Sequence, residues 1–250
     1  MQTFPSVDEL LRAMDRAGVA RAVLLGWYWE RMATCRGQNA FYATCIRAHP
    51  DRLSAFATFH PSAGETGVLN ELQRAADTGL VGLGELSPHS AGFALDDPVF
   101  DAALDFAASR RWPVNLHVTD PDSRPFPGRI TTPLDDFRLL AARHPTVTFI
   151  LAHWGGLLPL RGGGPLPDNV YFDTAASPLL YGQDIWRRFC TQVPAERVLF
   201  GSDFPLNVYP GIDPLPTMER LIAEVHRSEL DAAALRVVVR DNARRLLRLE

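Results

Sequence analysis

Lysine is missing from the chain altogether, and all 25 basic residues are arginine. Without lysine there is no amine to form a Schiff base and none to close on nucleotide phosphates, so imine chemistry and P-loop hydrolysis are excluded. Cysteine is scarce and odd in number. Cys35, Cys45 and Cys190 lack paired metal spacing and cannot build a disulfide framework, which predicts a reducing compartment and a cytoplasmic protein. No run approaches the roughly 20 apolar residues that span a bilayer, and the opening residues lack the charged-then-apolar pattern of a signal peptide. No membrane partner is expected. The formal net charge of -4 leaves no basic field for nucleic acid. No apolar run is followed by Gly-x-Gly-x-x-Gly, so a dinucleotide-binding turn is absent. The lack of a Gly-x-Ser-x-Gly elbow argues against serine-hydrolase chemistry.

What is present has the make-up of an ordinary enzyme-sized chain: 250 residues, 46% hydrophobic, 22% charged and 10% aromatic. Ser6 followed by Glu9 predicts a capping box opening a helix over 6–17, with Val7, Leu10, Leu11 and Met14 at helical spacing and Gly18 ending it. From there apolar runs alternate with amphipathic stretches. Strands are predicted over 22–25, 53–59, 81–86, 114–118, 146–152, 170–174 and 198–201. Helices are predicted over 38–48, 66–77, 99–110, 134–143 and 184–193, with two more, 217–227 and 230–247, closing the chain.

Strands that read as unbroken apolar runs between helices indicate a parallel sheet covered by helices. A (β/α)8 TIM barrel takes about 250 residues, so the expectation is one barrel domain over 1–250, of α/β class and distorted. Seven strands are visible where a barrel needs eight. The chain opens in a helix, so the strand apparently missing would be the first. A second thin place is GGLLPLRGGGPLPDN, between Ala152 and Val170, whose five glycines and three prolines predict a loop in place of a crossover helix.

Ionisable residues gather at the carboxyl ends of these strands: His60, Glu85, His117, His153, Asp173 and Asp203. In a parallel barrel those ends share one rim, where catalytic loops collect. Each alone has a structural explanation. His117 could be a satisfied core histidine, Asp203 a turn or helix-cap aspartate, Asp173 a hydrogen-bonding strand end, and His60 the close of a turn before Pro61. Six on one rim ask for a further one. Imidazoles and carboxylates together suit Zn²⁺ or a similar divalent ion, which brings the pKa of bound water towards 7. Asp203 could then take the water's proton, and His153 could polarise the substrate's oxygen. The glycines after His153-Trp154 let a substrate approach the backbone, which makes Trp154 a candidate substrate-binding residue. Trp27, with Tyr28 and Trp29, either lines a pocket or packs under a loop. Arg124 and Arg129 are either a carboxylate clamp or solvated loop arginines. His49, His144 and His226 receive no function.

The segments VNLHV, FILAHWGG, VYFDTAASP and VLFGSDFP, in that order, with the closing DNARRLL, resemble the amidohydrolase superfamily. The likeness is to the amidohydrolase-related branch that includes aminocarboxymuconate-semialdehyde decarboxylase, and it runs from Ser6 to Leu249. The resemblance implies a distorted (β/α)8 barrel with His117, on the fifth strand, and Asp203, on the eighth, as metal ligands. It makes His153 a catalytic group beside the metal or a ligand of a second metal, and Glu85, on the fourth strand, a bridging carboxylate. It further implies a divalent metal, zinc first, and a metal-dependent hydrolase acting on a small organic molecule, which an Arg124 and Arg129 clamp would make a carboxylated or lactone-like one. Non-oxidative decarboxylation on the same architecture is the alternative. The family's first strand carries a His-x-His pair, and no two histidines here stand two apart. That departure keeps a third reading open, a metal-poor binding or assembly homologue whose open sheet edge is covered by a partner chain, as in a homo-oligomer.

Overall fold

Ser6 opens the first helix as its spacing predicts. Its hydroxyl accepts the Glu9 backbone N–H at 3.2 Å while the Glu9 carboxylate accepts the Ser6 N–H at 2.7 Å, closing a capping box on helix α1 (Val7–Ala17) that Gly18 ends in the left-handed region. In this computed structural model, which describes residues 5–123, 129–162, 164–205 and 218–249, the alternation then runs through β1 (Ala22–Leu24), α2 (Met32–Ala48), β2 (Leu53–Ala55), α3 (Gly64–Asp77) and β3 (Leu83–Leu86). It continues with α4 (Pro88–Ala91), α5 (Pro98–Arg110), β4 (Val114–Leu116), α6 (Leu134–Arg143), β5 (Phe149–Leu151) and β6 (Val170–Asp173). The rest is α7 (Ser177–Leu180), α8 (Ile185–Cys190), β7 (Val198–Leu199), α9 (Glu219–His226), α10 (Ala232–Arg236) and α11 (Asn242–Leu247). A π-helical segment, Val237–Asp241, joins the last two helices.

Every ladder is parallel. β1 pairs with β2, and β3 to β7 pair in sequence order. The two sheets meet at Ala57, whose N–H donates to the Gly82 carbonyl at 2.8 Å and whose carbonyl accepts the Gly84 N–H at 2.9 Å. The result is a distorted (β/α)8 barrel that shows seven strands among the described residues. Its ladders are shorter than the apolar runs, whose flanking residues hold single bonds to the next strand, such as Phe56 N–H to the Leu24 carbonyl and Ala152 N–H to the Leu116 carbonyl, each at 2.9 Å.

No ladder joins β7 to β1 among the described residues, so the ring is open there. Its two edges differ. The outer edge of β7 is covered from inside the chain: the Phe200 N–H donates to the Val238 carbonyl at 3.0 Å. The Asn242 amide donates to the carbonyls of Val198 and Ala195, each at 2.7 Å. Among the described residues β1 has no such cover, and its three residues are all half-buried where those of β2, β4 and β5 are fully buried. The apolar run at 22–25 predicts a buried strand. An outer edge without a neighbouring strand among the described residues accounts for the difference.

The glycine-rich stretch after β5 departs from the loop that its composition predicts, since His153–Leu160 forms a short helical segment. Its first five residues, His153 to Leu157, all have φ between 56° and 60°, a left-handed turn. Such backbone costs roughly 1–2 kcal/mol per non-glycine residue, which His153, Trp154 and Leu157 incur. Packing offsets that cost. Trp154 is fully buried against Trp186 and Phe189, with ring centroids 4.9 Å apart in both pairs.

All three cysteines are free thiols. Burial pushes the Cys190 thiol up to about 11, and burial, only partly countered by a Thr58 hydrogen bond, does the same for Cys35. Iodoacetamide at pH 8 is therefore expected to label both in the native protein at least ~100-fold more slowly than an unperturbed thiol. Mass spectrometry of timed samples reads this, and equal rates in native and denatured protein would contradict it. Among the described residues no helix is long and apolar enough to cross a membrane.

Candidate metal centre

Glu85, at the end of β3, is aimed by an irregularity in its strand. Leu83 pairs with Val114 but Leu86 pairs with Leu116, so β3 spends one extra residue at Gly84-Glu85, a bulge of the kind that redirects a side chain. Only glycine fits beside it: Gly84 has φ 136°, and a Cβ there would lie 2.7 Å from the Asn115 carbonyl oxygen.

His117 follows β4 and its Nδ1 lies 2.6 Å from Glu85 Oε1. His153 follows β5, and its Nε2 stands 3.9 Å from the same oxygen. The His153 Nδ1 is 3.2 Å from the Ala175 carbonyl, which can only accept, so the ring carries a proton there and, when neutral, presents a bare Nε2 to the cluster. Ligand atoms of Glu85, His117 and His153 all lie within 4.8 Å of one another. The two imidazoles meet edge to face with centroids 5.0 Å apart.

Two further carboxylates bear on the cluster. Asp173, at the end of β6, is buried and accepts from the backbone N–H groups of His153 (3.1 Å) and Ala175 (3.0 Å) and from the Asn115 amide (2.9 Å). It is a strand-end residue that fixes the start of the left-handed turn. Burial pushes its carboxyl up, against the His153 charge and the Ala175 N–H. Asp203, with φ 54°, follows β7 and feels the charges of His153, Glu85, Asp173 and His117. Burial first, and then its neighbours Glu85 and Asp173, push its carboxyl up to about 6 against the two histidines. Burial works against the His153 imidazolium, yet Asp203, Glu85 and Asp173 together raise its pKa. Burial would also raise Glu85, but the His117 hydrogen bond and the His117 and His153 charges hold it below the usual carboxylate range. Three carboxylates thus face two histidines in a space that disfavours uncompensated charge. A carboxylate and two imidazoles within one ion's reach, surrounded by excess negative charge, is a donor set that fits a divalent cation.

The remaining expectations divide. Trp27 is 51% exposed and stacks on Tyr28 at 4.5 Å. The Tyr28 ring centroid is 5.3 Å from that of His117, and burial, then Glu85 and Asp203, raise the phenol's pKa so that it stays a donor. Tyr28 is the residue that sequence reasoning undervalues, and its only signal is its place in Trp-Tyr-Trp straight after a strand. Trp154 is a correction: its indole is core, its N–H donating to Ser177 at 3.1 Å, and it offers no face to a substrate. Arg129 is a second. Its guanidinium donates to Ser123 (3.0 Å) and to the carbonyls of Pro121 (3.0 Å) and Asp120 (3.3 Å), holding its own loop together. Arg124 lies outside the described residues. His60 caps a turn through Ser62, as expected. Asp203, expected as a ligand, lies outside the set of mutually close donors, and His153 stands inside it.

One clamp at the rim carries no signal in the sequence. The buried Asp120 carboxylate accepts from Arg161 at 2.9 Å and from the Tyr181 hydroxyl, tying together the segments that follow β4, β5 and β6.

The family model described as amidohydrolase matches residues 3–249. This chain belongs to the amidohydrolase family. Among curated protein sequences, none matches it. Solved structures share the amidohydrolase fold. The chain is similar to 2,6-dihydroxybenzoate decarboxylase from Rhizobium, with a TM-score of 0.74 and 21% identity over 98% of this chain and 89% of that one. It is similar to a dihydroxybenzoic acid decarboxylase from Polaromonas sp. JS666 holding manganese and 2-nitroresorcinol, at TM-score 0.74 and 17% identity over 98% and 87% of the two chains. The third is 4-oxalomesaconate hydratase, LigJ, from Rhodopseudomonas palustris, at TM-score 0.71 and 19% identity over 98% and 84%.

Proposed function

We propose that this amidohydrolase is a divalent-cation-dependent enzyme that removes carbon dioxide from a small planar carboxylate, with Asp203 as the group that moves the proton. The observation that carries the reading is the donor triangle of Glu85, His117 and His153, faced by an Asp203 carboxyl pushed up to about 6. Those three residues would hold the cation. When bound, it supplies a Lewis acid that draws in a carboxylated substrate and neutralises negative charge as it develops. The chain's own residues do the rest. Trp27 and Tyr28 form a stacked aromatic wall suited to a flat ring, and the Tyr28 hydroxyl is a donor for a substrate oxygen. The bond from ring carbon to carboxylate breaks with its electron pair staying on carbon. Protonated Asp203 gives that carbon its proton, and carbon dioxide leaves. The decarboxylases among the structural neighbours support this choice of reaction.

Hydrolysis is the second reading, favoured by the family's own description and by the same residue: ionised Asp203 would take a proton from water. Incubating the purified protein with 2,6-dihydroxybenzoate and with a panel of cyclic amides and lactones separates the two. Carbon dioxide release supports decarboxylation, and ring opening without it supports hydrolysis.

The cation is tested on its own. Elemental mass spectrometry is expected to find near-stoichiometric zinc or manganese, and a His117→Ala variant is expected to bind it more weakly by ~100-fold or more. A protein that takes up neither ion would remove the reading and bring the binding or assembly role forward. Cation content also assigns the third ligand. Loss with His153→Asn but not with Asp203→Asn fits His153 as the ligand and Asp203 as the proton carrier, and the reverse exchanges those roles.

A further inference from the structure

His117 has both ring nitrogens engaged, and the second engagement lies outside the donor triangle. Nδ1 faces Glu85, while Nε2 lies 3.2 Å from the hydroxyl of Thr119, two residues on. Thr119 is buried and is itself locked. Its backbone N–H donates to the Thr132 hydroxyl at 2.8 Å, and that hydroxyl donates back to the Thr119 carbonyl at 3.3 Å. Thr132, just ahead of α6, is also buried. The pair pins the start of the loop that follows β4 and leaves the Thr119 hydroxyl free to turn.

A carboxylate can only accept, so with nothing between them the His117 Nδ1 carries a proton towards Glu85, and in the neutral ring Thr119 donates to Nε2. The nitrogen that faces Glu85 is Nδ1. To give its lone pair to a cation there, the ring must carry its proton on Nε2, and Thr119 must become the acceptor. A hydroxyl serves in both directions without moving its oxygen. We propose that Thr119 is a positioning residue for the cation. Its hydroxyl keeps the His117 ring in one orientation through the exchange of tautomers and supports the form with a bare Nδ1. The inference rests on the proposed cation site.

Thr119→Val keeps the shape and removes the hydroxyl, and Thr119→Ser restores it. Zinc affinity, measured by competition with a chromophoric chelator, is expected to fall by ~10–100-fold in the valine variant and to stay within ~3-fold in the serine variant. Melting points of the cation-free proteins should agree within a few degrees, which separates loss of a ligand's support from loss of fold. Nitrogen-15 spectra of histidine-labelled wild type add a reading that needs no variant: on adding zinc, the His117 proton should pass from Nδ1 to Nε2. Valine binding as tightly as wild type, or a proton that stays on Nδ1 in the zinc-loaded protein, overturns the role of Thr119 alone. A wild type that takes up no zinc overturns the site and this inference together.

Discussion

Replacing Asp203 with asparagine is expected to cut turnover by about 10³-fold while making the cation-free protein more stable at pH 8. Both effects come from one property. In the fold the Asp203 carboxyl sits near 6, above its unfolded value, so the folded state disfavours the charge. A raised carboxyl contributes its stability below the unfolded pKa and loses it as pH rises through the folded one. The wild type therefore gives up stability between about pH 4 and 6, and asparagine, with no charge to bury, does not. The shift corresponds to ~3 kcal/mol at full weight. Asp203 is partly open to solvent, so about 1–2 kcal/mol is the expected gap. Chelator-treated samples melted at pH 4 and pH 8 should show the variant level with wild type at the first and ahead at the second. A gap of equal size at both would mean that asparagine stabilises for a reason unrelated to charge. Saturating zinc or manganese should narrow the gap at pH 8, since the cation favours the ionised carboxylate. Stability gained where activity is lost is the usual mark of a site built against the preferences of its fold.

The second large effect is purely steric. Gly155→Ala is expected to destabilise the protein by ~3 kcal/mol or more, about 6–12 °C in Tm. The residue has φ 56°, and a Cβ there would stand 2.7 Å from two ring carbons of Phe172, itself buried against Phe189. The ring cannot withdraw without disturbing the aromatic cluster that also holds Trp154, and the left-handed turn cannot unwind without moving His153. Activity per folded molecule should fall as well, because Gly155 lies two residues from a proposed ligand. A Tm within 2 °C of wild type would show that this turn is looser than its packing implies.

The alternation of apolar runs with amphipathic helices makes the barrel legible, since each run reports burial on both faces of a strand. The helix over 134–143 ends where its periodicity ends, and the capping box at Ser6 forms as spaced. Glu85, His117 and His153 are readable for a related reason, as ionisable groups in apolar strands are costly without a partner. What stays hidden depends on backbone geometry that residue types do not encode. Trp154 reads as exposed because it stands beside two glycines, and only the left-handed turn reveals that those glycines serve to turn it inward. Arg129 reads as a clamp because loop arginines are good ones, but the carbonyls of Asp120 and Pro121 reach it first. Predicted strand ends overrun the ladders because hydrophobicity marks burial, and burial continues past the last ladder bond.

The cover over β7 sets an order of assembly. Val198 and Phe200 rely on Val238 and Asn242 for their outward hydrogen bonds, and the same short strand leads into Asp203. During synthesis the segments carrying Glu85, His117 and His153 emerge and can pair long before those partners exist. The Asp203 wall of the site must wait for residues 237–242, so a nascent chain lacking them holds the Glu85, His117 and His153 donors beside an unsealed strand edge. That makes the late stage of synthesis the interval in which this protein is most exposed to mispairing with its neighbours on the same message.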